Sequence, residues 1–191
     1  MALVMTSAPA SEPVTVEEVK AHLRVDGAAE DVLIGSLILT SRLHIEAALA
    51  LALIDQSWTL QLDHWPRGGE VEIPMSPLNA ITSVRVKGAD GNWITVPQTS
   101  YLVDLASKPP RLVWNSTTRP DPGVPAMGIE IAFEAGFGPN PAHVPAPIKH
   151  ALLLLIAHWY EHREAIDVGS GSARIPEAVS DLIAPFRKIR L

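Results

Sequence analysis

The sequence predicts an α+β fold, in which a helical core of about four helices carries an inserted small antiparallel β region. Three observations lead to this prediction. Apolar runs with helical spacing lie near both ends of the 191 residues, whereas the middle alternates apolar and polar side chains as strands do. Most of the 17 prolines lie between residues 66 and 147, where they suit short strands and turns better than long helices. Apolar residues make up 47% of the chain, which is enough for a real core.

The first helix has a well-marked start. Thr15 and Glu18 have the spacing of a capping box, so a helix is predicted from about residue 16 to residue 24. Residues 1–14 before it are predicted to be a flexible N-terminal arm. A second helix is predicted over residues 28–54, and it is apolar on several sides, so we expect it to be covered on several sides.

The pattern changes after the second helix. Trp58, Leu60 and Leu62 alternate with polar residues, and Asp90-Gly91 is a hairpin turn signal, so residues 57–138 are predicted to be the inserted β region. A third helix is predicted from Pro147 and a short last one from Pro176. We expect the helices of residues 15–56 and 144–185 to form one domain, followed by a tail over residues 186–191.

The charge of the chain is unevenly distributed. The formal net charge is −6, yet the last seven residues hold three bases and no acid, which leaves 12 bases against 21 acids in the body. An acidic body argues against a protein that wraps nucleic acid over a broad surface. The chain has no cysteine, so disulfides and thiolate metal sites are excluded.

The strongest catalytic lead is His158-Trp-Tyr-Glu161-His162 on the third predicted helix. Two histidines at i and i+4 face the same way and could share a Zn²⁺ with the glutamate as general base, as in the H-x-x-E-H form of zinc proteases. Such a site needs a third ligand, and few carboxylates follow in the sequence. The simpler interpretation is a helix edge whose polar residues pair or meet solvent. We therefore predict no enzyme, no catalytic or metal-binding residues and no cofactor.

The C-terminal tail allows two interpretations. It is either a solvated chain end or a docking peptide whose apolar side chains bind a partner groove while its charges set the orientation. The tail residues are Phe186, Arg187, Lys188, Ile189, Arg190 and Leu191.

Several segments together resemble the head–tail connector (adaptor) proteins of tailed phages, prophages and gene transfer agents. The amino-terminal helices of that family are matched by Thr15-Val-Glu-Glu-Val-Lys-Ala-His-Leu-Arg24, Glu30-Asp31 and Ile45-Glu46. Its strand region is matched by Gln56-Ser-Trp58, Asp63-His-Trp-Pro66 and Ile73-Pro-Met-Ser-Pro-Leu78. Its carboxy-terminal block is matched by Phe133-Glu-Ala-Gly-Phe-Gly138, Val144-Pro-Ala-Pro-Ile-Lys149, His158-Trp-Tyr-Glu161, Arg163-Glu164, Ile175-Pro176 and residues 182–187.

The resemblance implies a structural subunit that forms a ring, expected to have 12 copies, beneath the portal of a filled capsid. Portal protein and a stopper or tail protein are the implied partners, packaged DNA passes through without sequence-specific binding, and no membrane is involved. The protein would lie in the cytoplasm of the bacterial host during assembly and then in the neck of the particle. The alternatives are another neck protein, such as a stopper or tail-completion protein, and a small zinc hydrolase.

Two surfaces are expected to carry this function. The C-terminal tail is the expected portal-docking segment. The long second helix is the expected contact between subunits, through a set of apolar residues along it. That set is Leu33, Leu37, Ile38, Ile45, Leu49 and Leu53.

Overall fold

The computed structural model describes residues 1–115, 119–162 and 175–187. The chain forms two compact units. The β unit contains Met1–Ala10 and Ala50–Phe137, and the helical unit contains Ser11–Leu49 and the described part of Gly138–Leu191. The predicted α+β fold with a helical core is confirmed.

The helical unit has four α-helices within the described residues. They are α1 (Val16–Leu23), α2 (Asp31–Leu49), α3 (Ala146–Glu161) and α4 (Glu177–Ile183). Short 3₁₀ turns cover Pro141–His143 and Ala184–Phe186. Helix α3 packs against each of the other three, so the apolar stripes of all four helices meet in one core.

The start of α1 follows the local prediction. The Thr15 hydroxyl accepts a hydrogen bond from the backbone N–H of Glu18 at 3.1 Å, and the Glu18 carboxylate accepts one from the backbone N–H of Thr15 at 2.8 Å. This capping box and the Lys149 ammonium lower the pKa of Glu18, the hydrogen bond from Thr15 being the larger cause. Arg24 ends the helix in the left-handed conformation, with φ of 57°.

The long helix ends earlier than the sequence predicted. Helix α2 stops at Leu49, and Ala50 takes a positive φ of 53°. The next residues turn into the β unit, where the N–H of Ala52 donates to the carbonyl of Ser76 and the N–H of Ser76 donates to the carbonyl of Ala50. Pairing with this distant segment overrides the helical propensity of the leucines and alanines that follow.

The β unit contains two antiparallel sheets. One has the strand order β1-β2-β8-β4-β5 and the other the order β3-β7-β6. The strands are β1 (Ala2–Ser7), β2 (Gln56–Leu62), β3 (Glu70–Glu72), β4 (Leu78–Lys87), β5 (Trp93–Thr95), β6 (Tyr101–Asp104), β7 (Arg111–Trp114) and β8 (Ile129–Ala135). The predicted turn at Asp90-Gly91 does join β4 to β5, with Gly91 at a φ of 82°.

One expectation about this unit is corrected. The N-terminal arm expected to be flexible contains strand β1, which pairs with β2 so that Leu3 lies opposite Leu60 and Met5 opposite Trp58. Residues 2–7 carry no charge and include side chains that suit a pleated surface. The β unit therefore combines the inserted segment with the first residues of the chain.

Candidate interaction surfaces

Helix α2 presents one face to the core of the helical unit. Ile34, Ile38, Ile45 and Leu49 are almost fully buried. They recur at helical spacing, and α3 and α1 are the elements that cover them. This face is what holds α2 in the unit.

The burial of these residues corrects the expected subunit contact. Of the residues predicted to meet a neighbouring copy, Ile38, Ile45 and Leu49 are at most 2% exposed, and Leu53 lies in the β unit at 0%. Leu33 and Leu37 are half-buried. Side chains already enclosed by their own subunit cannot make the main contact with another one.

The opposite face of α2 meets solvent although it is apolar. Val32 is 89% exposed, Leu39 44% and Leu43 45%. Together with Ala47 they follow the spacing i, i+7, i+11 and i+15, so they form one stripe, which we call the outer stripe. The sequence signal for it was the apolar character of α2 on several sides, but the sequence could not tell the covered side from the open one.

The charged side chains of α2 are paired with charges of opposite sign. Nε of Arg42 donates to a carboxylate oxygen of Glu12 at 2.7 Å, and Nη1 donates to one of Glu46 at 2.9 Å. Burial lowers the pKa of Arg42, but the hydrogen bond to Glu12 and the charges of both glutamates outweigh it, so the pKa is raised. Asp31, at the start of the helix, is paired with Lys20 at 2.8 Å.

By length and composition alone, α2 could also cross a membrane, as the core helix of a compact unit can. Its inner face packs in the helical unit and holds the buried side chains of Arg42 and Glu46. Those contacts account for the apolar composition of the inner face without a bilayer.

The histidine pair of α3 does not form a metal centre with the residues that the structure describes. The rings of His158 and His162 are 4.6 Å apart between centroids, and a nitrogen of His162 lies 2.9 Å from the carbonyl oxygen of His158. Across residues 1–115, 119–162 and 175–187, no group of three or more His, Asp or Glu side chains could hold a metal ion. Trp159, which follows His158 in α3, packs edge-on against His44 of α2.

A small apolar cavity lies beside the N-terminal half of α2. Its volume is about 270 Å³, and it is lined mainly by Val14, Val16, Gly35, Ile38 and Pro141. It contains little polar surface, so its chemistry suits an apolar side chain rather than a substrate that must be held in one orientation.

Comparison with known proteins gives matches among solved structures only. No protein-family model matches the chain, and no curated protein matches it. A chain in the virion of a native gene transfer agent particle is similar over 100% of this chain and 97% of that chain, with a TM-score of 0.86 and 28% sequence identity. A chain in the neck of an empty gene transfer agent particle, computed with C6 symmetry, has a TM-score of 0.84 and 27% identity with the same coverage. One in the neck of a native particle, computed with C12 symmetry, has a TM-score of 0.77 and 28% identity.

The similar chains are components of the particle neck, and the likeness covers the whole chain. This end-to-end likeness supports a structural neck subunit, a head–tail connector of the kind found in gene transfer agent particles. The surfaces of this connector are therefore the places to look for its function.

The tail of the connector is described only in its first part. Phe186 ends the 3₁₀ turn after α4 and is half-buried, and Arg187 is exposed, with its N–H donating to the carbonyl of Ala184. Lys188, Ile189, Arg190 and Leu191 lie outside the described residues. The portal-docking assignment of this segment stays a prediction.

Proposed function

We propose that this connector assembles as a ring of twelve copies beneath the portal of a gene transfer agent or phage-like particle, where it joins the DNA-filled head to the tail. A stopper or tail protein binds the far side of the ring. The connector acts by fitting its surfaces to those partners and catalyses no reaction.

The observation that carries the proposal is the end-to-end match with a chain of the gene transfer agent virion. Because the match includes 100% of this chain and 97% of the other at 28% identity, both units are shared, and not only a common supersecondary element. The C12 symmetry of the native neck supports twelve copies.

The charge of the chain suits a passage for DNA. A subunit with a net charge of −6 has little affinity for a phosphate backbone, so DNA can move through the ring without being held. The protein is made in the cytoplasm of the bacterial host, joins the neck during assembly and needs no membrane.

We assign portal docking to the tail from Phe186 to Leu191. Its aromatic and aliphatic side chains suit shallow pockets of a partner, and its three bases attract an acidic surface around them. The exposure of Arg187 and the half-burial of Phe186 leave the start of the tail accessible.

Electron microscopy of the purified full-length protein, with and without its portal protein, tests the function. We expect twelvefold rings seated directly on the portal. Rings seated further along the neck would instead indicate a stopper or tail-completion protein. Stoichiometric zinc in the purified protein that is lost in His158→Ala would favour a hydrolase and overturn the proposal.

A deletion of Phe186–Leu191 tests the docking assignment. We expect portal binding to be lost, while the circular dichroism spectrum and the thermal midpoint stay as in the full chain. Changing Arg187, Lys188 and Arg190 to glutamine in the full-length tail is the matched variant, because it keeps the apolar side chains and removes only the charges. Portal binding by the deletion variant would contradict the assignment.

A further inference from the structure

The outer stripe of α2 combines high exposure with an apolar surface. The stripe extends over about 22 Å along the helix from Val32 to Ala47, given a rise of 1.5 Å per residue, and its large side chains are those of Val32, Leu39 and Leu43. A soluble protein seldom leaves such a continuous apolar row open on its longest helix, and rows of this kind mark contacts with partners.

The whole exposed side of α2, inside and beside the stripe, lacks charged side chains. The other exposed positions of α2 are Ser36, Thr40, His44 and Ala48. Asp31 is paired with Lys20, and the side chains of Arg42 and Glu46 are buried on the inner half. No carboxylate or ammonium group of the helix therefore projects from its outer face.

A charge-free face suits contact between identical copies. Each copy carries a net charge of −6, so copies repel each other wherever their acidic surfaces come close. The electrostatic cost of association is smallest where neither ion pairs nor isolated carboxylates must lose water. A nucleic acid backbone would require basic side chains on this face, and the outer face of α2 has none.

We propose that the outer stripe is the apolar centre of the contact between neighbouring copies of this chain in the ring. This inference rests on the proposed ring. In a closed ring each copy uses one surface against a different surface of the next copy, so the stripe binds a second patch of the neighbour and not the same stripe. The surface area of the stripe is smaller than the area of about 800 Å² that each partner buries in a standard interface. Flanking polar residues therefore complete the contact.

The first test introduces charge into the stripe. Leu39→Lys together with Leu43→Lys should abolish the rings that the wild-type protein forms on its portal. Both side chains are about half exposed already, so the thermal midpoint should stay close to that of the wild type. Ala48→Lys is the matched control, because it places the same charge at an exposed position of α2 about 140° around the helix from Leu43.

A second test does not depend on assembly-deficient variants. The chain has no cysteine, so Val32→Cys provides a single site for a benzophenone label. Irradiating labelled rings should link two copies of the chain, seen as a dimer band on a denaturing gel and located by mass spectrometry. Label at Ala48→Cys should give far less of this product.

The outcomes separate the inference from the function on which it rests. Rings formed by the double lysine variant, or labels at Val32 that link only to portal, stopper or lipid, overturn the assignment of the stripe and leave the connector function standing. A wild-type protein that forms no ring even on its portal overturns the proposed function and the inference with it.

Discussion

Arg42 is a buried charge whose partners come from two separate segments. Its side chain is 5% exposed and bridges Glu46, one turn further along α2, and Glu12, in the segment before α1. The pairing links that segment to the long helix. Removing one member of such a cluster costs more than the pair itself contributes, because the remaining charge stays buried.

Arg42→Met should lower the free energy of unfolding by about 3–5 kcal/mol, since it leaves the buried carboxylate of Glu46 without the guanidinium charge. Urea denaturation monitored by circular dichroism measures the change. Arg42→Met combined with Glu46→Leu should recover most of the loss. If the single and double variants were equally unstable, lost packing rather than the buried charge would explain the effect.

Asp104 gives the β unit a pH-dependent contribution. Its side chain accepts hydrogen bonds from Ser107 at 2.6 Å and from Arg111 at 3.0 Å. The hydroxyl of Ser107, its backbone N–H and the guanidinium of Arg111 lower the pKa of Asp104 from 3.8 to about 2. The carboxylate of Asp104 therefore binds a proton less tightly in the folded state than in the unfolded state. The stabilisation is present at pH values above the unfolded pKa of 3.8 and is lost as the pH falls through the folded pKa of about 2.

Asp104→Asn should therefore lower the thermal midpoint at pH values above about 4 and have little effect near pH 2. Thermal melts of both proteins over that range measure the difference. Asp26→Asn, which removes an exposed carboxylate from the helical unit, is the control for the change in net charge. A difference that stays constant over the range would contradict the hydrogen-bonded carboxylate as its source.

At the scale of the element, two glycines have opposite roles. Gly136 follows β8 where the chain runs close to the start of β2, and a Cβ on it would lie 2.5 Å from the Cα of Asp55. Gly35 lies inside α2, where a Cβ would meet no atom within 4 Å. The first glycine allows a close approach of two backbones, whereas the second only adds flexibility to the unfolded chain.

Gly136→Ala should lower the free energy of unfolding by about 1–3 kcal/mol, because the two backbones must move apart. Gly35→Ala, the same change in an open helical position, should raise it by about 0.5–1 kcal/mol. Chemical denaturation of the two variants gives both signs in one experiment. A stabilised Gly136→Ala would mean that the approach to Asp55 is looser than the structure has it.

At the scale of the whole molecule, the connector is a chain with a net charge of −6 that is proposed to assemble with copies of itself. The long-range repulsion between copies is screened by salt, whereas an apolar contact is not weakened by it. The balance between the two decides how assembly responds to ionic strength.

Raising the NaCl concentration from about 0.1 M to about 1 M should lower the protein concentration at which rings form. The reason is that the screening length falls from about 10 Å to about 3 Å, which weakens the repulsion between copies. Mass photometry over a dilution series measures this shift. A variant with Asp or Glu in the outer stripe should show a larger dependence of ring assembly on the salt concentration than the wild type. Rings that dissociate at high salt would point to an interface held by ion pairs instead.

The sequence by itself determined the features that depend on neighbouring residues. The capping box of Thr15 and Glu18, the hairpin turn at Asp90-Gly91 and the alternation in β2 are local, so their physics is complete within a few positions. The α+β class followed from such patterns, and the resemblance to head–tail connectors came from a set of motifs and their order along the chain.

Only the tertiary structure decided which side of α2 is open, where that helix ends, and that residues 2–7 form a strand. Burial and strand pairing are relations between segments far apart in sequence, such as Leu3 with Leu60 or Ala50 with Ser76. Ile38 and Leu39 are equally apolar, yet one is buried and the other exposed. An apolar side chain is stabilised by burial, and the fold determines whether its own chain or a partner buries it.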